Sequence, residues 1–194
     1  MLSGGIDSAY TLLRLLRESE DTILAHHIHM VNAENRHKVE ADSCRRIVEY
    51  CNQHHRKVSY SESAVDHRGM LFMGFDMVTV GFEAGIVAHS YFLATKTMPD
   101  RWTVGTCLEE GHWMERYEHV QACCAANCFP NEPPEFFTLP LVPKREEMEY
   151  LPMDYLALTW TCRRPVWTGS AFVACGTCKT CELMKGIQVG RPAG

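Results

Sequence analysis

Near its start the chain reads Ser3-Gly4-Gly5-Ile6-Asp7-Ser8 and runs straight into Ala9-Tyr10-Thr11-Leu12-Leu13-Arg14-Leu15-Leu16. Adjacent glycines let the backbone turn tightly and approach a ligand without a side chain in the way, and Ser3 and Ser8 add hydroxyls for an oxyanion. The helix that follows turns its free N–H groups and the positive end of its dipole toward the same loop. Such a stretch reads as a pyrophosphate cradle. A capped helix start with an ordinary glycine turn uses the same residue types, so the reading rests on the whole string and on the apolar helix behind it. Only Met1 and Leu2 precede the loop, which implies either a shortened first strand or a start lying upstream.

The remaining pattern alternates strand-like and helix-like segments. Asp7 to Glu18 predicts a helix with an apolar side of Leu12, Leu13, Leu15 and Leu16, and Ile23 to Val31 a strand interrupted by His26, His27 and His29, which receive no role. A second helix to about Cys51 follows, with Val39, Ala41, Cys44, Ile47 and Val48 on its buried face, then a short strand from Arg56 to Tyr60 and a loop over 61–74. Phe75 to Thr97 predicts a long buried helix, Trp102 to Thr106 a strand, Glu109 to Asn127 a loop and helix, Phe136 to Val142 a strand, and Lys144 to Tyr155 a helix. Strands alternating with helices predict an α/β fold with a parallel five-stranded sheet covered by helices on both faces, the ligand lying beyond the carboxyl ends of the strands. Residues 1–158 form this nucleotide-binding domain and 159–194 a C-terminal module packed on it.

Four of the ten cysteines carry the module: Cys162, Cys175, Cys178 and Cys181, spaced C-x12-C-x2-C-x2-C. Close spacing brings neighbouring thiolates onto one ion, and a fourth cysteine from a distant loop closes a tetrahedron. Four sulfurs leave no open position, which predicts a structural zinc site, with an iron–sulfur cluster as the rival. Cys44 and Cys51 read as core residues, Cys123, Cys124 and Cys128 as helix burial, and Cys107 is unassigned.

These two ends together resemble one family. The opening string is similar to the SGGxDS loop of the PP-loop ATP pyrophosphatases, and the chain resembles their 7-cyano-7-deazaguanine synthase family. Thr159-Trp160-Thr161-Cys162 is similar to its T-W-S-C, Cys175-Gly176 through Cys181 to its C-G-x-C-x-x-C, and Pro140-Leu141-Val142-Pro143-Lys144 to its P-L-x-x-x-K. Asn32 to His37 with Glu40 falls where the family has Y-G-Q-x-H, keeping Arg36 and His37 but not the Tyr-Gly. Its G-Y-P-D-C-R segment is replaced by Gly111 to Tyr117, with Trp113 and Glu115 as the nearest equivalents, and its Arg-Asn before the long helix by Met73-Gly74.

The resemblance implies an ATP-dependent, C–N bond-forming ligase. Carboxy-deazaguanine is adenylated, ammonia displaces AMP, and a second adenylation drives loss of the amide oxygen to leave a nitrile. It implies a fold of the adenine nucleotide alpha hydrolase kind, Ser3, Gly4, Gly5, Ile6, Ser8 and Gly105 around the phosphates, Asp7 for Mg²⁺ or for ordering the loop, and Lys144 for phosphate charge. Arg36, His37, Trp113 and Glu115 become substrate contacts, and the protein a homodimer. The altered 111–117 segment keeps two alternatives open: adenylation of a different carboxyl, in a small molecule or a protein as in phage or anti-phage systems, and a non-catalytic nucleotide-binding module.

A formal net charge of -5 argues against a general nucleic-acid binder and favours a small-molecule substrate. No run approaches the ~20 apolar residues of a membrane span, and no basic segment followed by an apolar one opens the chain, so the sequence predicts a cytoplasmic protein with reduced thiols.

Overall fold

The computed structural model describes residues 1–72 and 74–189. Helix α1 (Ile6–Glu18) buries Ile6, Ala9, Tyr10, Leu12, Leu13 and Leu16, the recurrence that one helix face requires. Strand β1 (Leu24–Val31), helix α2 (His37–His54) and strand β2 (Ser59–Asp66) follow. β1 and β2 are parallel, with Leu24 opposite Ser59 and Val31 opposite Asp66. β2 therefore extends well into the stretch whose composition predicted a loop: its glutamate and serines are held by cross-strand partners that composition does not reveal. Leu2, α1, Ala25 of β1 and the Cys44, Ile47, Val48 and Cys51 face of α2 share one core with Met148, Leu151 and Tyr155. Both α2 cysteines are thus core residues, as their spacing predicted.

A second core lies between helix α3 (Asp76–Thr95) and helix α4 (Tyr117–Cys128), with Trp102, Val104 and Phe136. Gly81 and Gly85 let α3 approach α4: a Cβ added at Gly85 would sit 2.3 Å from Cys124 O, and one at Gly81 2.4 Å from Val120 O. The long helix is not buried as its composition predicted. Gly81, Glu83, Ala84, Gly85 and Ala88 are covered, while Phe82, Ile86 and Leu93 stand exposed. By length and composition alone it is also apolar enough to cross a membrane. A 3-10 segment (Leu108–Arg116) connects short strand β3 (Arg101–Trp102) to α4, and short strand β4 (Glu135–Phe136) follows.

The protein is α/β, but the expected five-stranded parallel sheet does not form. Among the described residues, parallel pairing is confined to β1 with β2 and to β3 with β4. Met1 and Leu2 lie between the pairs, Leu2 N donating to His26 O at 2.7 Å and Met1 N to Thr103 O at 2.8 Å. Two residues supply too few N–H and C=O groups to build a ladder across the gap. The 136–142 strand is likewise limited to its first residue, because Pro140 and Pro143 lack ladder donors.

Helix α5 (Lys144–Tyr150) and helix α6 (Met153–Leu156) replace one expected helix, broken at Pro152. The C-terminal module is a hairpin of β5 (Val166–Trp167) and β6 (Phe172–Val173) followed by helix α7 (Lys179–Val189). Residues 190–194 of the expected module lie outside the described residues.

Two glycines with opposite surroundings test the helix contacts. Gly85→Ala is predicted to cost about 1–3 kcal/mol by forcing α3 from α4. Gly186→Ala, with nothing within 4 Å of the added carbon, should instead stabilise α7 by about 0.5–1 kcal/mol, both read from urea unfolding.

Candidate active site and metal centre

The loop closes on itself through its own hydrogen bonds. Gly4 adopts φ +79°, a conformation only glycine takes without strain, and its missing side chain leaves room for α2: an added Cβ would lie 2.8 Å from Glu40 O and 3.2 Å from Cys44 Sγ. Ser3 Oγ lies 3.0 Å from Ser8 Oγ, Gly5 N donates to Ser3 Oγ at 3.3 Å, and Ser8 Oγ donates to Gly5 O at 3.1 Å. Gly5 caps α1 in extended conformation with no side-chain cap, so the first amides of the helix keep open donors. Gly105 presses against this turn, where a Cβ would fall 2.3 Å from Asp7 C and Ser8 N. The structure therefore brings Ser3, Gly4, Gly5, Ile6, Asp7, Ser8 and Gly105 together.

Lys144 joins them. It is 2% exposed, and its ammonium forms an ion pair with Asp7 and lies 3.9 Å from Glu110 Oε2. Its own N–H donates to the Glu109 carboxylate at 3.0 Å. Burial alone would lower the Lys144 pKa, but Asp7 and Glu110 overcome it and hold the ammonium protonated well above its usual range. Burial likewise pushes Asp7 up, and Glu147 and Lys144 together bring it below the ordinary carboxylate range.

Three neighbours of this pair were missed by the sequence reading. Glu147 is 1% exposed, and its buried carboxyl faces Asp7. Burial first, then the facing Asp7, pushes its carboxyl up to about 10, so it stays neutral where Asp7 is charged. Cys107 is fully buried beside Asp7, its thiol pushed up to about 12 by burial and then by that carboxylate. Asp7, Cys107 and Glu110 place ligand atoms within 4.8 Å of one another. The signal for Glu147 lay in its spacing: three residues after Lys144 on α5, it shares the lysine's helix face.

The expected substrate contacts are placed differently. Arg36 is committed to carboxylates, at 2.7 Å from each of Glu34, Glu40 and Asp76. His37 stands at the start of α2 with its Nδ1 buried and unpartnered, its ring 6.5 Å from that of His29, and its pKa lowered by burial. Glu115 is exposed on the 3-10 segment, and the side chain of Trp113 and all of Met73 lie outside the described residues. Of the β1 histidines, His26 hydrogen-bonds with Ser61 and Ser63 and His29 with Glu62.

At the other end, the sulfurs of Cys162, Cys175, Cys178 and Cys181 all lie within 4.8 Å of one another. Cys162 and Cys175 are 3.6 Å apart and Cys175 and Cys181 4.0 Å. Four thiolates each about 2.3 Å from a central zinc lie roughly 3.8 Å from one another, so the cluster could hold a metal ion such as zinc. Backbone N–H groups of Thr177 and Cys178 point at Cys175 Sγ and lower that thiol to about 6.

Compared with protein-family models, curated proteins and solved structures, the chain matches none.

A raised carboxyl pKa makes the unfolded chain release its proton first, so Glu147 contributes stability that is complete below the ordinary carboxylate range and is lost as pH rises toward about 10. Glu147→Gln is predicted to flatten this decline, measured as the difference in urea midpoint between about pH 5 and pH 9 for both proteins. The purified chain is predicted to carry about one zinc ion per molecule and Cys175→Ser to lose it, both measured by elemental analysis.

Proposed function

We propose that the protein is an ATP-dependent adenylating enzyme that activates a carboxylate and passes it to ammonia, with 7-carboxy-7-deazaguanine as the substrate. One observation carries the reading: a glycine loop at a helix N-terminus closes around two serine hydroxyls beside a buried lysine. A carboxylate is a poor electrophile. Its oxygen attacks the α-phosphorus, pyrophosphate leaves with the bond's electron pair, and the acyl adenylate gains AMP as a leaving group.

The first amides of α1, Ser3 and Ser8 would hold the departing phosphates, while Lys144 would meet the charge that grows on the bridging oxygen. In the free chain that ammonium is held by Asp7, which keeps it charged and aimed at the loop. Mg²⁺ arriving with ATP would find Asp7 at the same place and would supply further phosphate neutralisation. Ammonia would then attack the acyl carbon and AMP depart, and a second adenylation of the amide oxygen would let that oxygen leave within AMP while the nitrogen gives up its two protons to form the nitrile. The four cysteines, with no open coordination position, would take no part in the chemistry itself.

A second substrate is favoured by one observation. Arg36 is tied to three carboxylates and Glu115 faces solvent, so two of the expected base contacts do not converge on the loop. The same adenylation chemistry on another carboxyl fits that arrangement.

The zinc-loaded protein with ATP, carboxy-deazaguanine and ammonium is predicted to form AMP and pyrophosphate together with an amide or nitrile seen by mass spectrometry. Lys144→Ala and Ser8→Ala should lower AMP formation by about 100-fold. Equal AMP release by parent and variants would reject the reading, and AMP formation only with a different carboxylate would select the second substrate.

A further inference from the structure

The loop is anchored from the metal module by one backbone hydrogen bond. Trp160 N donates to Gly4 O at 2.8 Å across 156 residues of chain, and the indole Nε1 of the same residue donates to Cys162 O at 2.8 Å. Trp160 thus has one hand on the loop and the other on the first metal ligand. Gly4 O belongs to the Gly4–Gly5 peptide, whose N–H points away from that carbonyl and donates to Ser3 Oγ. The plane of this peptide decides what the loop offers an anion. With the carbonyl held by Trp160, the oxygen is turned out of the cradle. Were the peptide to rotate, a carbonyl dipole would point its negative end at the phosphates.

The close contacts at Gly4 and Gly105 set the path of the loop, whereas the plane of the Gly4–Gly5 peptide is held on the loop's own side by the Gly5 N–H bond to Ser3. Glycine carries no Cβ to oppose rotation of that plane, and the bond is long at 3.3 Å. Trp160 is held in turn by the cluster, because Cys162 Sγ accepts from Cys175 N at 3.2 Å and stands 3.6 Å from Cys175 Sγ. Arg163, next along the chain, reaches Asp76 at 2.9 Å and Glu34 at 3.4 Å. Those carboxylates also bind Arg36, which holds Glu40, and Glu40 O is the atom nearest to where a Cβ on Gly4 would stand. The 159–163 segment therefore grips Gly4 from one side directly and from the other through α2.

We propose that Trp160 is a positioning residue that sets the Gly4–Gly5 peptide for anion binding, and that a metal ion on Cys162, Cys175, Cys178 and Cys181 holds Trp160 in that position. The metal site then governs the phosphate affinity of the loop, beyond any part it plays in folding. The phosphate arm of this inference rests on the loop being an anion site, as the proposed function has it. The structural arm does not.

Hydrogen exchange and calorimetry with inorganic pyrophosphate separate the two. Zinc-loaded protein is compared with protein stripped by chelator and with zinc-loaded Trp160→Phe, which loses the indole N–H but keeps the ring. In both altered forms the amides of residues 3–8 are expected to exchange faster while those of β1 and β2 are unchanged. Pyrophosphate affinity is expected to fall about fivefold in Trp160→Phe, the weight of one net hydrogen bond, and further on stripping. Restored exchange and affinity when zinc is returned to the stripped wild type complete the expectation.

Unchanged exchange at residues 3–8 on stripping would overturn the inference, as would loss of protection spread evenly over the chain. Failure of the loaded wild type to bind pyrophosphate would reject the proposed function instead, leaving the exchange result to judge the coupling.

Discussion

Gly105 meets the first turn of α1 so closely that an added Cβ would lie 2.3 Å from Asp7 C, Asp7 O and Ser8 N, and this approach is the constraint on which the site depends. It fixes the start of α1 against the segment leaving β3, so the open amides of the helix and the Asp7 side chain face the residues that follow. Gly4 does the same on the opposite flank, where its positive φ lets the loop sink against the Glu40 carbonyl and Cys44. Between these contacts the loop has one route. Any side chain at either position would have to move backbone rather than a flexible tip, which is the costly kind of overpacking.

Charge is arranged around that rigid turn. One ammonium, Lys144, stands against Asp7 and near Glu110, with Glu147 buried behind. Glu147 and the Lys144 ammonium together sustain Asp7 as a carboxylate, and Glu147, with burial and a neighbouring carboxylate both opposing its ionisation, remains neutral. Removing one member of a buried pair typically costs about 3–5 kcal/mol because the other is left desolvated. Under the proposed function, such a pair would exchange partners with an arriving phosphate.

The C-terminal module packs Met184 and Ile187 of α7 on the first core and is tied to the loop by polar contacts. Trp160 holds Gly4 O, and Arg163 shares Glu34 and Asp76 with Arg36. Its hairpin leaves Val166, Trp167 and Val173 exposed, so the sulfur cluster must supply the local order that a core would otherwise give.

Much of this was legible in the sequence. The glycine loop, the amphipathic α1, the buried face of α2 with its cysteines, and the convergence of the four late cysteines follow from spacing, because helical period and ligand spacing are local properties. Tertiary structure alone decided the rest. The sheet is divided because pairing needs partners from distant segments, and residues 1–2 and 136–142 could not supply enough of them. α3 was read as buried from its composition, yet only Gly81, Gly85 and their small neighbours found a partner helix. Glu147 and Cys107 joined the site through contacts with Asp7 across about a hundred residues or more of chain, and Arg36 became a structural ion pair through Asp76 and Arg163. Local sequence specifies which groups a segment can offer, whereas which of those groups lose water and face one another depends on the packing of the whole chain.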